Sequence, residues 1–107
     1  MKISERRYQE MVEAATVDSY NDSELITGWY TMIEENLAVP FNASILGVPV
    51  RVDKVGLTDN EQIVVRCCHG RHQQLVPILD LLLPMPRPAG SDWIDAFRRW
   101  VRSGALG

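Results

Sequence analysis

Residues 21–50, NDSELITGWYTMIEENLAVPFNASILGVPV, contain the change of period that decides the fold. Through the first half of this stretch Leu25, Ile26, Trp29, Met32, Ile33 and Leu37 recur at steps of three and four, which sets them on one stripe of a helix. Asn21 stands where an N-cap belongs, and Glu24 follows three residues later, the spacing of a capping box. Pro40 cannot continue a helix, and from Phe41 the pattern turns to short alternating or continuous apolar runs rich in β-branched residues. The spacing therefore predicts a helix over about 22–37 that leads directly into strands.

Working outward, strand-like runs occupy 41–46, 48–57, 61–68 and about 72–79, with Leu79–Leu83 as a possible last strand. Gly47, the Thr58-Asp59-Asn60 cluster and Gly70 supply the turns between them. Strands so close in sequence pair as antiparallel hairpins, and four to five of them make a small, partly open, barrel-like sheet within 41–83. Upstream, Tyr8, Met11, Val12 and Ala15 mark a helix over about 4–16. Downstream, Pro84-Met85-Pro86-Arg87-Pro88 is a stiff connector to a helix over about 91–102, with Ser91 as its cap and Trp93, Ile94, Phe97, Trp100 and Val101 on one face. The expected class is α+β: N-terminal helices and a C-terminal helix packed on the sheet.

The 107 residues, 46% of them hydrophobic, suit one domain spanning 1–107 with a modest core. No apolar run approaches the roughly 18 residues that a membrane span needs, and the start, MKISERRYQE, lacks the apolar segment of a secretory signal. A cytoplasmic location is expected. Cys67 and Cys68 are adjacent, so a disulfide between them would be strained and close no loop, and both read as free thiols.

The net charge of -3 conceals an asymmetry. Residues 1–62 hold eleven acids and five bases, whereas residues 63–107 hold three acids and six bases. Such a distribution argues against a dedicated nucleic-acid binder, whose main surface is basic.

There is no Gly-rich phosphate loop, HExxH or GxSxG, so catalysis is not expected. The one dense group of soft side chains is Cys67-Cys68-His69-Gly70-Arg71-His72. On a strand the two cysteines point to opposite faces, which opposes a shared tetrahedral metal site.

Between Arg7 and Arg51 the chain has no Lys or Arg, yet it carries Glu10, Glu13, Asp18, Asp22, Glu24, Glu34 and Glu35. Asp18, Asp22 and Glu24 flank a helix N-terminus, where carboxylates cap free amides and meet the positive end of the dipole. Glu34 and Glu35 lie in the last turn beside Asn36, where unpaired carbonyls already make the potential negative. A bound cation would reverse that penalty, because Ca²⁺ accepts carboxylates, amide oxygens and backbone carbonyls together. Asp53, Asp59 and Glu61 are the candidates to complete such a constellation if the 57–61 hairpin lies near, with Asp18, Asp22 and Glu24 as a weaker second group. No EF-hand loop is present.

Asp18-Ser-Tyr, Ser-Glu24-Leu, Gly28-Trp29-Tyr30, Glu34-Glu35-Asn36-Leu37, Val39-Pro40-Phe41 and Val76-Pro77-Ile78 together resemble the CcbP-type calcium-binding protein family over roughly residues 18–80. The resemblance implies helices packed on a β-rich part, Ca²⁺ held through surface carboxylates rather than EF-hands, and a role in cytoplasmic calcium buffering. It also marks Gly28, Trp29, Pro40 and Phe41 as structural residues.

Two other readings compete. A protein-interaction module would present the aromatic C-terminal helix or a sheet edge to a partner, and burial of that helix face within the monomer would remove the first version of it. A nucleic-acid contact would run through Arg66, Arg71, Arg87, Arg98, Arg99 and Arg102.

Overall fold

The structure is a computed structural model and describes residues 3–106. Two helices come first, α1 (Glu5–Thr16) and α2 (Asp22–Asn36), followed by strands β1 (Phe41–Ile45), β2 (Val48–Leu57), β3 (Ile63–His69) and β4 (His72–Pro77), and then α3 (Asp92–Arg102). Every neighbouring strand pair is antiparallel, and the sheet order is β1-β2-β3-β4, an open meander with β1 and β4 at its edges. The α+β class expected from the sequence is therefore observed, with four strands.

The fifth strand expected at Leu79–Leu83 does not form. Ile78–Asp80 makes a short 3₁₀ turn instead. Its cause lies in α3: the Arg98 guanidinium donates to the carbonyls of Ile78, at 2.7 Å, and of Leu81. Those acceptors are thereby turned toward the helix and away from any strand partner. Burial of Leu81 fixes the same segment from its apolar side.

The helices form one layer against the sheet: α2 packs on β2, and α1 and α3 pack on α2 and on each other. Its core is Trp29, fully buried, with Trp93, Phe97 and Trp100 of α3 around it at ring-centroid distances of 6.3, 5.6 and 5.5 Å. Val52, Val65 and Ile78 lie below them. Val52 and Val55 are both buried although a regular strand would turn them to opposite faces. A bulge between Val52 and Lys54 inserts Asp53 as the extra residue and so returns Val55 to the core side.

Gly28 allows α1 and α2 to touch backbone to side, since a Cβ there would stand 1.9 Å from the Ala15 carbonyl oxygen. The Gly-Trp pair thus combines a close helix crossing with the largest core side chain, and both roles are structural. The C-terminal helix does not present its aromatic face to a partner. Trp93, Ile94, Phe97 and Trp100 are buried within the monomer, which removes that version of the interaction-module reading.

Ser91 precedes α3 as expected but makes no side-chain cap. Its backbone is already helical, φ −66° and ψ −17°, whereas a capping side chain needs the extended conformation that Ser4 adopts before α1. No helix among the described residues is long and apolar enough to cross a membrane.

Candidate metal centre

Five ion pairs are present among the described residues, and they divide the carboxylates into two groups. Glu10 meets Arg6, Asp92 meets Arg7, Asp95 meets Arg87, Glu5 meets Arg99 and Asp53 meets Arg66. Of the eight carboxylates expected to bind a cation, only Asp53 belongs to this paired group.

Asp53 is held by both prongs of Arg66, Nε to Oδ1 at 2.8 Å and a terminal nitrogen to Oδ2 at 3.1 Å. The Cys68 thiol adds a contact to Oδ2 at 3.7 Å. The Arg66 hydrogen bonds and charge keep the Asp53 carboxyl below its ordinary range. A residue so engaged is a structural ion pair of the bulge, and a cation would have to displace an arginine to reach it.

Glu24 is also committed locally. Asn21 Oδ1 accepts from the Glu24 amide at 2.9 Å, while the Glu24 carboxylate accepts from Asn21 Nδ2 at 3.1 Å and from the Tyr20 amide at 3.2 Å. The capping arrangement read from the sequence exists, with the return bond made to Tyr20 instead of to the cap residue's own amide. Asp22 lies in the first turn of α2, and Asp18 sits in the preceding turn with φ +57°. Both side chains are exposed and lack an ion-pair partner among the described residues.

Asp59 and Glu61 lie in the β2–β3 hairpin. The turn is closed by Thr58 N–H to Gln62 O at 3.0 Å and Glu61 N–H to Thr58 O at 2.9 Å, and Glu61 takes φ +64°. The turn thus ends on a left-handed residue, a position that glycine or asparagine normally fills.

Glu34 and Glu35 end α2, and the backbone there is unusual. The helix has no basic residue in its last turn. Asn36 Nδ2 donates to Met32 O at 2.7 Å and Leu37 N–H donates to Ile33 O at 2.9 Å, so those two carbonyls are satisfied. Ala38 N–H, the amide four residues after Glu34, turns instead to Ala89 O at 2.8 Å. No backbone donor outside the helix reaches the carbonyls of Glu34 and Glu35 among the described residues. Adjacent helix side chains stand about 100° apart, so both carboxylates can approach one ion only at the helix end, where these carbonyls open.

Gly90 secures this end of the helix. A Cβ at Gly90 would stand 1.9 Å from Asn36 O, and its φ of +85° is left-handed. Ala89 and Gly90 were not legible as site residues in the sequence; the only hint was a lone glycine after a proline run.

The eight expected carboxylates are not gathered into one centre. Among the described residues no three His, Cys, Asp or Glu side chains are arranged to hold an ion. Any ion at the end of α2 therefore draws on carbonyl, amide and water oxygens as well as the two carboxylates.

The chain belongs to the CcbP calcium-binding family, whose model, described as calcium binding, matches residues 9–101. The structure is similar to the crystal structure of Anabaena CcbP, with a TM-score of 0.78, 18% identity, and coverage of 94% of this chain and 93% of that one. It is similar also to a calcium-binding protein in the calcium-binding form, with a TM-score of 0.73, 17% identity and the same coverage. At these identities the two structures speak for the fold. No match is found among curated proteins.

Proposed function

We infer that the protein binds Ca²⁺ at the C-terminal end of α2, through the carboxylates of Glu34 and Glu35, the free carbonyls beside them and the Asn36 side-chain oxygen. The observation that carries this reading is the electrostatic arrangement of that helix end. Two acids and two open carbonyls stand together with no cation nearby in sequence, in a place where the helix dipole alone disfavours them. Membership of a calcium-binding family names the ion that would relieve it.

Asn36 suits the role because its amide nitrogen is anchored on Met32 O, which leaves the oxygen as the free atom. Asp18, Asp22, Asp59 and Glu61 act as exposed carboxylates that deepen the negative field or bind further ions weakly. Asp53 and Glu24 are excluded from the first ligand set by their own partners. The activity is non-enzymatic, and the role is cytoplasmic buffering or sensing of calcium.

The test is a Ca²⁺ titration followed by amide NMR, with Mg²⁺ as the control. Saturable shifts centred on residues 34–38 and 89–90 are expected, the second group arising through the Ala38–Ala89 hydrogen bond. Their absence at millimolar Ca²⁺, or shifts confined to the 57–61 hairpin, would remove the proposed site.

A further inference from the structure

The helices cover only part of their face of the sheet. At the other end, where β3 turns into β4, a cavity of about 550 Å³ is lined by Ile45, Val50, Cys67, His69, His72 and Gln74, among others. The Cys-His motif of the sequence thus opens onto a surface that the calcium reading does not use.

His69 and His72 are directly opposed in the β3–β4 register, joined by the two-residue turn Gly70-Arg71. Opposed residues on antiparallel strands point to the same face, with Cβ atoms about 4.5–5.5 Å apart. Gly70, at φ +58°, holds the turn tight. His69 Nδ1 lies 2.8 Å from the Pro49 carbonyl oxygen. A carbonyl only accepts, so that contact requires the proton on Nδ1 and leaves the Nε2 lone pair free. A backbone carbonyl that fixes the tautomer and orientation of an imidazole is the outer support of histidine metal ligands. His72 is exposed and makes no hydrogen bond that would restrain its ring among the described residues.

We propose that His69 and His72 form a two-histidine site for a transition-metal ion of borderline softness, such as Zn²⁺, Ni²⁺ or Cu²⁺, separate from the calcium carboxylates. Imidazole suits these ions, whereas Ca²⁺ takes oxygen ligands, so the two sites select different metals. Water fills the remaining coordination positions. Cys67 lies on the same face two residues away but is not a ligand, because it is only 3% exposed.

The experiment is a Ni²⁺ titration of the full chain by calorimetry in calcium-free buffer, with His69→Ala and His72→Ala as variants. Both residues are exposed, so the variants keep the fold, and an unchanged near-ultraviolet dichroism of the tryptophan cluster checks this. One Ni²⁺ per chain is expected, with affinity weakened roughly tenfold or more in each variant. Saturating Ca²⁺ leaves the Ni²⁺ isotherm unchanged. Equal Ni²⁺ affinity in wild type and variants, or displacement of Ni²⁺ by Ca²⁺, overturns the proposal.

Discussion

Asp53 and Arg66 face each other across β2 and β3 because the bulge at Asp53 turns its carboxylate toward the neighbouring strand, where Arg66 grips both oxygens at 2.8 and 3.1 Å. The pair joins the backbone irregularity to a specific charge contact, and it engages the one candidate ligand that an arginine holds among the described residues.

Its pH dependence follows from the direction of the shift. Arg66 lowers the Asp53 carboxyl in the folded state, so the stability it lends is present above the unfolded value of about 4 and is lost as pH falls through the folded one. Asp53→Asn should therefore cost most near neutral pH and little at pH 3, as measured by urea unfolding at both. Its calcium affinity should match wild type, because Arg66 already holds both Asp53 oxygens.

Replacing Glu34 and Glu35 with Gln should move stability and binding in opposite directions. Without calcium, each substitution removes an unfavourable charge at the negative end of α2 and raises stability by about 0.3–1 kcal/mol. With calcium, affinity should drop roughly tenfold or more, because it depends on ligand charge. Thermal melts with and without Ca²⁺ read both effects at once: the double variant melts higher in chelator and gains less from the ion.

Glu61→Gly tests the strained hairpin residue. At φ +64° a side chain costs about 1 kcal/mol, and glycine removes that cost. Higher stability is expected, with at most a small loss of affinity at the α2 end, and a marked loss there would promote Glu61 to the ligand set.

Gly28→Ala and Gly90→Ala should separate folding from binding. The first drives a methyl group into the Ala15 carbonyl and pushes α1 from α2, a packing fault on the order of 1–3 kcal/mol or more. Gly90→Ala strains the segment that seats the end of α2, so it should weaken Ca²⁺ binding in addition to lowering the melting temperature. Calorimetric titration of both variants, at a temperature where they remain folded, distinguishes the two.

Much of the fold was legible because each helix and strand repeats a local period. The stripe from Leu25 to Leu37, the strands from Phe41 onward and the aromatic face of α3 all lie where that periodicity sets them. The missing strand at Leu79–Leu83 was not legible, since Arg98 acts on it from a distant helix. Asp53 read as a candidate ligand for a similar reason: a bulge has no sequence mark here, and without it the carboxylate has no visible tie to Arg66. Glu34 and Glu35 could be singled out because the helix dipole is a local property. The amide that leaves them uncapped is not, since Ala38 bonds to Ala89 across the fold.

That one hydrogen bond also sets an order of events during synthesis. A nascent chain that has emerged only as far as β4 already carries both glutamates, Asn36 and the whole of α2. Ala38 N–H then has no Ala89 to turn to, and it is free to bond back to Glu34 and prolong the helix by a step. In the proposed site, the helix end takes its calcium-ready form only with residues 88–91 docked, so ion binding there would report completed folding.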